Sequence, residues 1–560
     1  MRQAPEIVEV ESTQLEEVLR RAEQALDEKD AALIRAVFRS YVYVVDLVED
    51  KNTSIGRLRQ LVFGSRTEKT NAVLGRKTDM RDAPPANGAA ADTEAASGEA
   101  DIDGSNETDR APARKGHGRN GADAYRGAER IDVPHASLKA GDPCPACEKG
   151  TVYDKAPGVL VRITGPPPLA AVIYHLQKLR CHLCGQVFTA PAPAEADNGK
   201  YDATAGSMIG LLKYGSGLPF NRLEGLQGYL EIPLPASTQW DIVQAVATNL
   251  APALEELIRQ AAQGEVLHND DTTVKILEVM RRSRPEALAG AEGQGNDADE
   301  RSGLFTSGVV ALRDGRRVAL FFSGRRHAGE NLAEVLKLRA AELPPPIQMC
   351  DALSRNLPGE LRTILAHCLA HARRQFVDVY DRFPQECGHL LEALAVVYRN
   401  DAIARQRQLS PEARLRFHQQ ASQPTMQQRH EWLRRQFDEK RTEPNSALGG
   451  AIGYMLRHWE KLTLFLRQAG APLDNNVCER ALKKPILHRK NALFYKTRKG
   501  ARVGDVFMSL IYTCQLNEAN PFDYLTQLQQ HPDQVAADPQ LWMPWNYRET
   551  LASESAAQPN

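Results

Sequence analysis

The sequence predicts a multidomain α+β protein, and three observations carry that prediction. Apolar residues recur at spacings of three and four through the first 62 positions, the mark of a helix with a long apolar stripe. Two CxxC pairs follow, separated by strand-like segments. After Val266 the apolar period changes to that of a strand, then returns to helix for most of the remaining chain.

Size and composition set the bounds. At 560 residues the chain is long enough for about three or four domains, and its 42% apolar content is ordinary for a globular protein. Net charge is only -1, so contact with a polyanion has to come from local basic patches. The N-terminus MRQAPEIVEV lacks a basic-then-apolar leader, and no window of about 18 apolar residues is available to span a bilayer; a cytoplasmic protein with no membrane partner is expected. Of nine cysteines, four form the two CxxC pairs and five (Cys350, Cys368, Cys387, Cys478, Cys514) are scattered, which fits reduced thiols plus one metal site.

The first segment, residues 1–77, reads as coiled-coil helices for self-association: Leu15, Leu19, Ala22, Leu26 and Leu33, then Val37, Tyr41, Val44, Val48, Ile55, Leu58 and Val62, with a stutter near Val37. A helical hairpin folded on its own chain is the alternative. Gly64 ends the helix, and Ser65 with Glu68 forms a capping box for a short following one. Residues 78–130 read as a disordered linker, because 78–113 has no aromatic residue and cannot bury enough apolar surface to offset its ordering entropy. The basic, glycine-rich RKGHGRNG that follows places Arg119 where it can lie along a phosphate backbone, or simply end the linker.

In residues 131–200, Cys144 and Cys147 pair with Cys181 and Cys184 as two knuckles. Four thiolates match tetrahedral Zn2+, and strand-like Thr151 to Tyr153 and Val172 to Leu179 between them make a zinc ribbon. The ion would be structural, since four Cys ligands leave no open position. Residues 201–262 read as three helices, about 204–214, 219–230 and 237–262, with Ser237 capping the third and Thr238, Gln239 and Trp240 in its first turn. That is the arrangement by which a helix-turn-helix meets base edges, with an all-helical connector as the equal alternative.

Residues 263–378 then alternate like strand at Val266 to His268 and Val274 to Val279, with two more strands, Phe305 to Leu312 and Arg317 to Phe322, around the Asp314-Gly315 turn. A helix from about Ala328 to Ala341, a strand Ile347 to Cys350 ending at Asp351, and a strand about Thr363 to Cys368 leading into a helix complete the order of a ribonuclease-H-like domain. Its first acid sits on the first strand and its second just after the fourth, here Asp270 and Asp351. Residues 379–470 are helical and amphipathic, an all-helical insertion. Residues 471–530 return to the catalytic domain, and 531–560 form a C-terminal tail. The returning helix starts near Asp474 or Asn475, either a good N-cap, and carries Glu479 one turn in. From Arg480 to Arg502 there are nine Lys or Arg and no acid, so a lone carboxylate heads a basic run, as suits a metal ion held beside a polyanion, with a salt-bridged helix start and a solvated basic face as the equal alternative.

These segments together resemble the transposases of the insertion sequence 66 family. The resemblance runs through FGSRTEK at 63–69, GHGR at 116–119, the paired CxxC, LHNDDT at 267–272, CLAHARRQF at 368–376, DNNVCERALKKPILHRKNALF at 474–494 and SLIYTCQLNEANPFDYL at 509–525. It implies a DDE transposase with Asp270, Asp351 and Glu479 as the metal-binding triad. The family shows Asp-Glu-Thr where this chain has Asp270-Asp271-Thr272; Asp270 matches the family's Asp, and Asp271 as its strand neighbour would face away. Two Mg2+ (or Mn2+) ions roughly 3.5 to 4 Å apart on oxygen ligands activate the nucleophile and stabilise the leaving oxygen in such chemistry.

The expected partners are double-stranded DNA at the element ends and target, a second copy of the chain in a homo-oligomer such as a dimer, and small accessory proteins of the same element. His371, Arg373 and Arg374 are placed to reach the scissile phosphate. Lys483, Lys484, Arg489, Lys490, Asn491, Lys496 and Arg498 are expected along the DNA exit path. Cys368, His371 and His367 have metal-ligand chemistry but read as strand-to-helix packing. The competing functions are a zinc-ribbon DNA-binding regulator and an assembly subunit, each with an inert ribonuclease-H-like domain.

Overall fold

The computed structural model describes residues 21, 139–143, 151, 168–180, 187–191, 200–281 and 303–557. The coiled-coil and linker expectations, Arg119 and the four knuckle cysteines lie outside the described residues. Contacts divide the chain into two compact units, one of Arg81–Lys213 and Leu218–Val246, the other of Met1–Met80, Tyr214–Gly217 and Ala247–Asn560.

In the first unit, β1 (Lys178–Arg180) pairs antiparallel with β2 (Val187–Thr189), and Pro143 bridges Thr151. Each pairing brackets one CxxC pair in the sequence. The ladder is shorter than expected: Val172 to Gln177 carry none, and Val172 and Ile173 are exposed. Helix α1 (Ala203–Gly210) is capped by Asp202, whose carboxylate accepts from Ala205 N at 2.9 Å. Helix α2 (Phe220–Tyr229) precedes α3 (Ala236–Ala262). Ser237 lies within α3, not before it, so it is not the cap.

The second unit is built on a five-stranded sheet: β3 (Val266–Thr273), β4 (Phe305–Arg313), β5 (Arg316–Gly324), β6 (Ile347–Cys350) and β7 (Ile364–His367), in spatial order β5-β4-β3-β6-β7. β3, β4 and β5 are antiparallel; β6 and β7 run parallel to β3. Two expectations need correction. The strand expected at 274–279 is absent, for β3 runs unbroken through Asp270 to Thr273 and only Ile276 bridges, to Tyr495. The β4–β5 hairpin turns at Asp314 and Gly315, both with positive φ (49° and 76°), as a two-residue turn of the right twist requires. Helix α4 (Ala328–Leu336) stops short of Ala341. The cause is Arg339, whose guanidinium donates to the carbonyls of Ala262, Gly264 and Pro344, while Ala340 N donates to Gln263 Oε1 and so leaves the helical ladder.

After β7 come α5 (Leu369–Asp378), α6 (Pro384–Gln406), α7 (Pro411–Ala421), α8 (Gln423–Asp438) and α9 (Ala447–Arg457). The inserted helices share one core with the sheet: Met349 of β6, Ala366 of β7 and Phe376 of α5 pack with Leu394, Leu433 and Ile452. Helix α10 (Asn476–Ala492) then returns to the sheet, followed by α11 (Arg498–Leu516), α12 (Pro521–Gln530) and α13 (Tyr547–Ala557). The last 30 residues are not a loose tail in their described part: Trp542, Met543 and Tyr547 are buried, and Tyr524 donates to Trp542 O at 2.9 Å.

Helix α11 covers the outer strand β5 in an unusual way. Asp505, Ser509, Thr513 and Asn517 accept from the backbone amides of Ser323, Phe321, Ala319 and Arg317 at 2.7, 3.0, 3.0 and 3.1 Å. Four residues of helix rise about 6 Å and two residues of strand about 6.6 Å, so every fourth side chain meets every second amide. The backbone groups that an edge strand leaves bare are thereby satisfied by one helix face.

Candidate active site

Topology brings the expected acids to one end of the sheet. β3 and β6 are neighbouring parallel strands, His268 in register with Met349, so Asp270 and Asp351 stand two residues further along each. Asp270 is half-buried and accepts from the Asp271 amide at 2.8 Å. Burial pushes its carboxyl up to about 7, and the charges of Asp351, Asp271 and Glu479 push the same way against that hydrogen bond. Asp351 is oriented by the Asn356 side-chain amide and by Leu353 N at 3.3 Å.

Glu479 lies in the first turn of α10, which packs on β3 and β4. Its approach depends on a residue without a side chain: Gly308, in register with Asp270, accepts from Cys478 Sγ at 3.4 Å and lies under Leu482. The N-cap position is Asn475, but its side chain caps nothing; Asp474 accepts from Asn476 N at 3.2 Å instead. Asn475 is fully buried and turned to the sheet, accepting from His268 Nδ1 at 3.0 Å and donating to Asn269 O at 3.1 Å. A carbonyl oxygen only accepts, so the proton of the neutral imidazole sits on Nδ1. Burial pushes His268 down to about 4, which keeps it neutral.

A second buried chain supports Asp351. Gln348 donates to Asn269 Oδ1 at 2.9 Å and to Asn356 O at 2.7 Å, and Asn269 donates to the same carbonyl at 2.8 Å. Thr363 completes it, donating to Gln348 Oε1 at 2.9 Å. These amides fix the loop that carries Asn356, and hence the carboxylate it holds. Sequence reading missed His268, Asn269, Gln348, Asn356 and Asn475. Their one signal was several polar side chains inside short runs otherwise patterned as buried strand. From the helical insertion comes Tyr454, whose phenol is pushed up to about 12 by burial and by the charge of Asp351.

Asp271 is occupied elsewhere: its side chain is 2% exposed, bonded to His327 Nδ1 at 2.9 Å and paired with Arg355 at 3.4 Å. Among the described residues, Asp270, Asp351 and Glu479 have no such guanidinium in their bonds, and their mutual repulsion at a half-buried site is the electrostatic condition a hard cation relieves. Carboxylate oxygens are the donor set that Mg2+ takes, so the residues fit it.

A further group meets beside Glu479. The ligand atoms of Cys368, His371 and Glu479 lie within 4.8 Å of one another, with His371 Nδ1 3.7 Å from Glu479 Oε1. His367 is not among them; its ring packs edge-on against His458 at 5.0 Å.

The expected DNA contacts divide. Lys483, Lys490, Lys496, Arg498 and Arg374 are exposed. Others are engaged by the chain itself: Lys484 donates to Gly215 O at 3.4 Å, Asn491 to Gly217 O at 3.2 Å, and Arg489 to the hydroxyls of Thr272 and Thr273 at 3.1 and 2.7 Å. Arg373 is buried. Gln239 is the clear correction. It is fully buried, and its amide donates to Phe220 O at 3.1 Å and Leu234 O at 2.9 Å, so it holds the turn before α3 and is not presented to base edges. Thr238 is half-buried beside it.

Residues 199–289 and 312–503 match the family described as Transposase IS66 family. The matched segments make up just over half of the chain and contain Asp270, Asp351 and Glu479. The protein is of the transposase class. It belongs to the IS66 family of transposases. Three proteins of Sinorhizobium fredii are similar to it: uncharacterized protein y4hP, 28% identical over 400 residues that cover 67% of this chain and 68% of the relative; y4jD, 25% identical over 524 residues, 91% and 97%; and y4qI, 26% identical over 392 residues, 68% and 70%. No helix among the described residues is long and apolar enough to cross a membrane.

Proposed function

We propose that the chain binds the inverted terminal repeats of its mobile element and catalyses metal-dependent DNA strand cleavage followed by 3′-hydroxyl strand transfer. The observation that carries this is the coupling of three carboxylates, Asp270, Asp351 and Glu479, from a strand, a strand end and a helix far apart in sequence, inside the segments that match the transposase family. Asp270, Asp351 and Glu479 would hold Mg2+ or Mn2+, which when bound supplies Lewis acidity toward phosphate oxygens and the nucleophile. The Asp271 amide orients Asp270, Asn356 orients Asp351, and the packing of α10 on Gly308 sets the reach of Glu479. Exposed Lys483, Lys490, Lys496, Arg498 and Arg374 bind backbone phosphates. Water first breaks the phosphodiester bond and frees a 3′-hydroxyl at the element end. That hydroxyl then attacks a target phosphodiester in line, and no covalent protein intermediate is needed. The protein works as a homo-oligomer on double-stranded DNA, with the paired CxxC motifs holding a structural Zn2+ and small proteins of the same element assisting.

The test is magnesium-dependent cleavage of an oligonucleotide carrying the element end, comparing the parent with Asp351→Asn. Cleavage is expected to vanish while DNA binding persists. Equal cleavage by both proteins removes Asp351 from the site, and end binding without cleavage by the parent favours a DNA-binding regulator.

A further inference from the structure

We propose that Cys368, His371 and Glu479 form a separate cation site, built for a zinc-class ion, that shares Glu479 with the cleavage centre. It draws on the same carboxylate as the cleavage reading but does not depend on that reading being right.

The placement comes from two helix starts. Cys368 is the N-cap residue of α5 and His371 follows one turn later on the same side, since residues three apart on a helix are neighbours. Glu479 reaches them from the first turn of α10. The three ligand atoms lie within 4.8 Å of one another. Tetrahedral zinc, with bonds of about 2.0 to 2.3 Å, needs its ligand atoms roughly 3.3 to 3.8 Å apart, a closing movement within reach of small χ adjustments.

Three features mark this as more than packing. The sulfur of Cys368 is fully buried and accepts from Asn475 N at 3.2 Å, and the His371 amide is directed at it as well. Two amides aimed at one sulfur suit a thiolate held by a metal better than a neutral thiol, which is a weak acceptor. Among the described residues His371 Nδ1 is buried without a hydrogen-bond partner, although it faces Glu479 Oε1 at 3.7 Å, too long for a hydrogen bond and the right order for two ligands of one ion. The donor set itself, one sulfur, one imidazole nitrogen and one carboxylate oxygen, is that of zinc and not of magnesium.

The consequence is competition. A zinc-class ion in this position takes Glu479 away from the oxygen-lined position beside Asp270 and Asp351. Loading replaces the thiol proton of Cys368 with the metal bond and releases that proton to solvent, with no change of oxidation state.

The experiment uses the full chain, with Zn2+ counted by native mass spectrometry and Co2+ as a spectroscopic substitute. Because the paired CxxC motifs supply thiolates of their own, the parent is compared with Cys368→Ser and His371→Ala, in which those motifs are intact. Both variants are expected to carry one metal fewer per chain. The cobalt difference spectrum between the parent and Cys368→Ser should show thiolate-to-cobalt charge transfer with tetrahedral d–d bands. His371→Ala changes a partly exposed side chain and keeps the fold, so it decides the matter should Cys368→Ser fail to fold; its affinity for the second ion is expected to fall roughly 100-fold or more. Equal metal content and superimposable cobalt spectra in all three proteins overturn the site. Failure of the cleavage reading is separable, since it appears as unchanged cleavage by Asp351→Asn while the metal count still drops in the Cys368 and His371 variants.

Discussion

Gly308 stands opposite Asp270 in the β3–β4 register, and a Cβ built there would lie 3.0 Å from Cδ2 of Leu482 on α10. The bare backbone at this point lets the Glu479 helix settle against the sheet. Gly308→Ala asks Leu482 to give by a few tenths of an ångström. Gly308→Val is expected to lift α10, costing about 1–3 kcal/mol by overpacking and on the order of 100-fold in cleavage rate through misplacement of Glu479. Single-turnover cleavage beside a melting curve checks it; a valine variant with parental rate would show that this contact does not set the helix position.

Asn475 fastens the same helix from the other side. Asn475→Ala leaves His268 Nδ1 and the Asn269 carbonyl buried without their partner, which costs about 1–3 kcal/mol. Urea denaturation should report that loss. Cleavage should fall with it at temperatures where the variant is still folded.

The two adjacent acids of β3 should separate cleanly. Asp271→Asn removes the charge paired with His327 and Arg355, and because both partners are partly exposed the expected loss is about 1–2 kcal/mol. Cleavage should persist in Asp271→Asn and disappear in Asp270→Asn. The opposite pattern would exchange their roles.

Asp505 gives a pH signature away from the candidate active site. Burial raises its carboxyl to about 7 from an ordinary 3.8, against hydrogen bonds from the Ser323 amide and hydroxyl. Because the folded value is the higher one, the stability it contributes is complete below about 4 and is lost as pH rises through about 7. Asp505→Asn, which stays neutral, should therefore gain on the parent by on the order of 2–4 kcal/mol between pH 4 and pH 8, then run parallel above. Denaturant midpoints for both proteins across that range measure the gap; a gap independent of pH would mean that Asp505 titrates normally.

How far the sequence reached depended on how local each signal was. β4, β5 and β6 are runs of apolar and β-branched residues closed by turn chemistry, and their bounds fall within a residue or two of expectation. β3 was cut short because HNDDTT is polar, and a polar run does not read as the middle of a buried sheet. Its polar groups are tolerated since their partners arrive from elsewhere, Asn475 from 207 positions away and Asn356 from 87. The same blindness to distant partners misplaced Gln239 and left unseen the bonds of Lys484 and Asn491, all three donating to backbone carbonyls that no spacing rule foretells. Helix α4 was overextended for a similar reason, Arg339 being drawn to carbonyls next to the start of β3.

The row formed by Asp505, Ser509, Thr513 and Asn517 has a meaning for crowding. High local concentration of any protein is the circumstance in which uncapped sheets fuse. Along β5 the valence that would recruit a neighbouring chain is already filled by carboxylate, hydroxyl and amide groups of the same molecule. A flank closed in this way offers a foreign strand nothing to pair with, so crowding does not extend the sheet through β5.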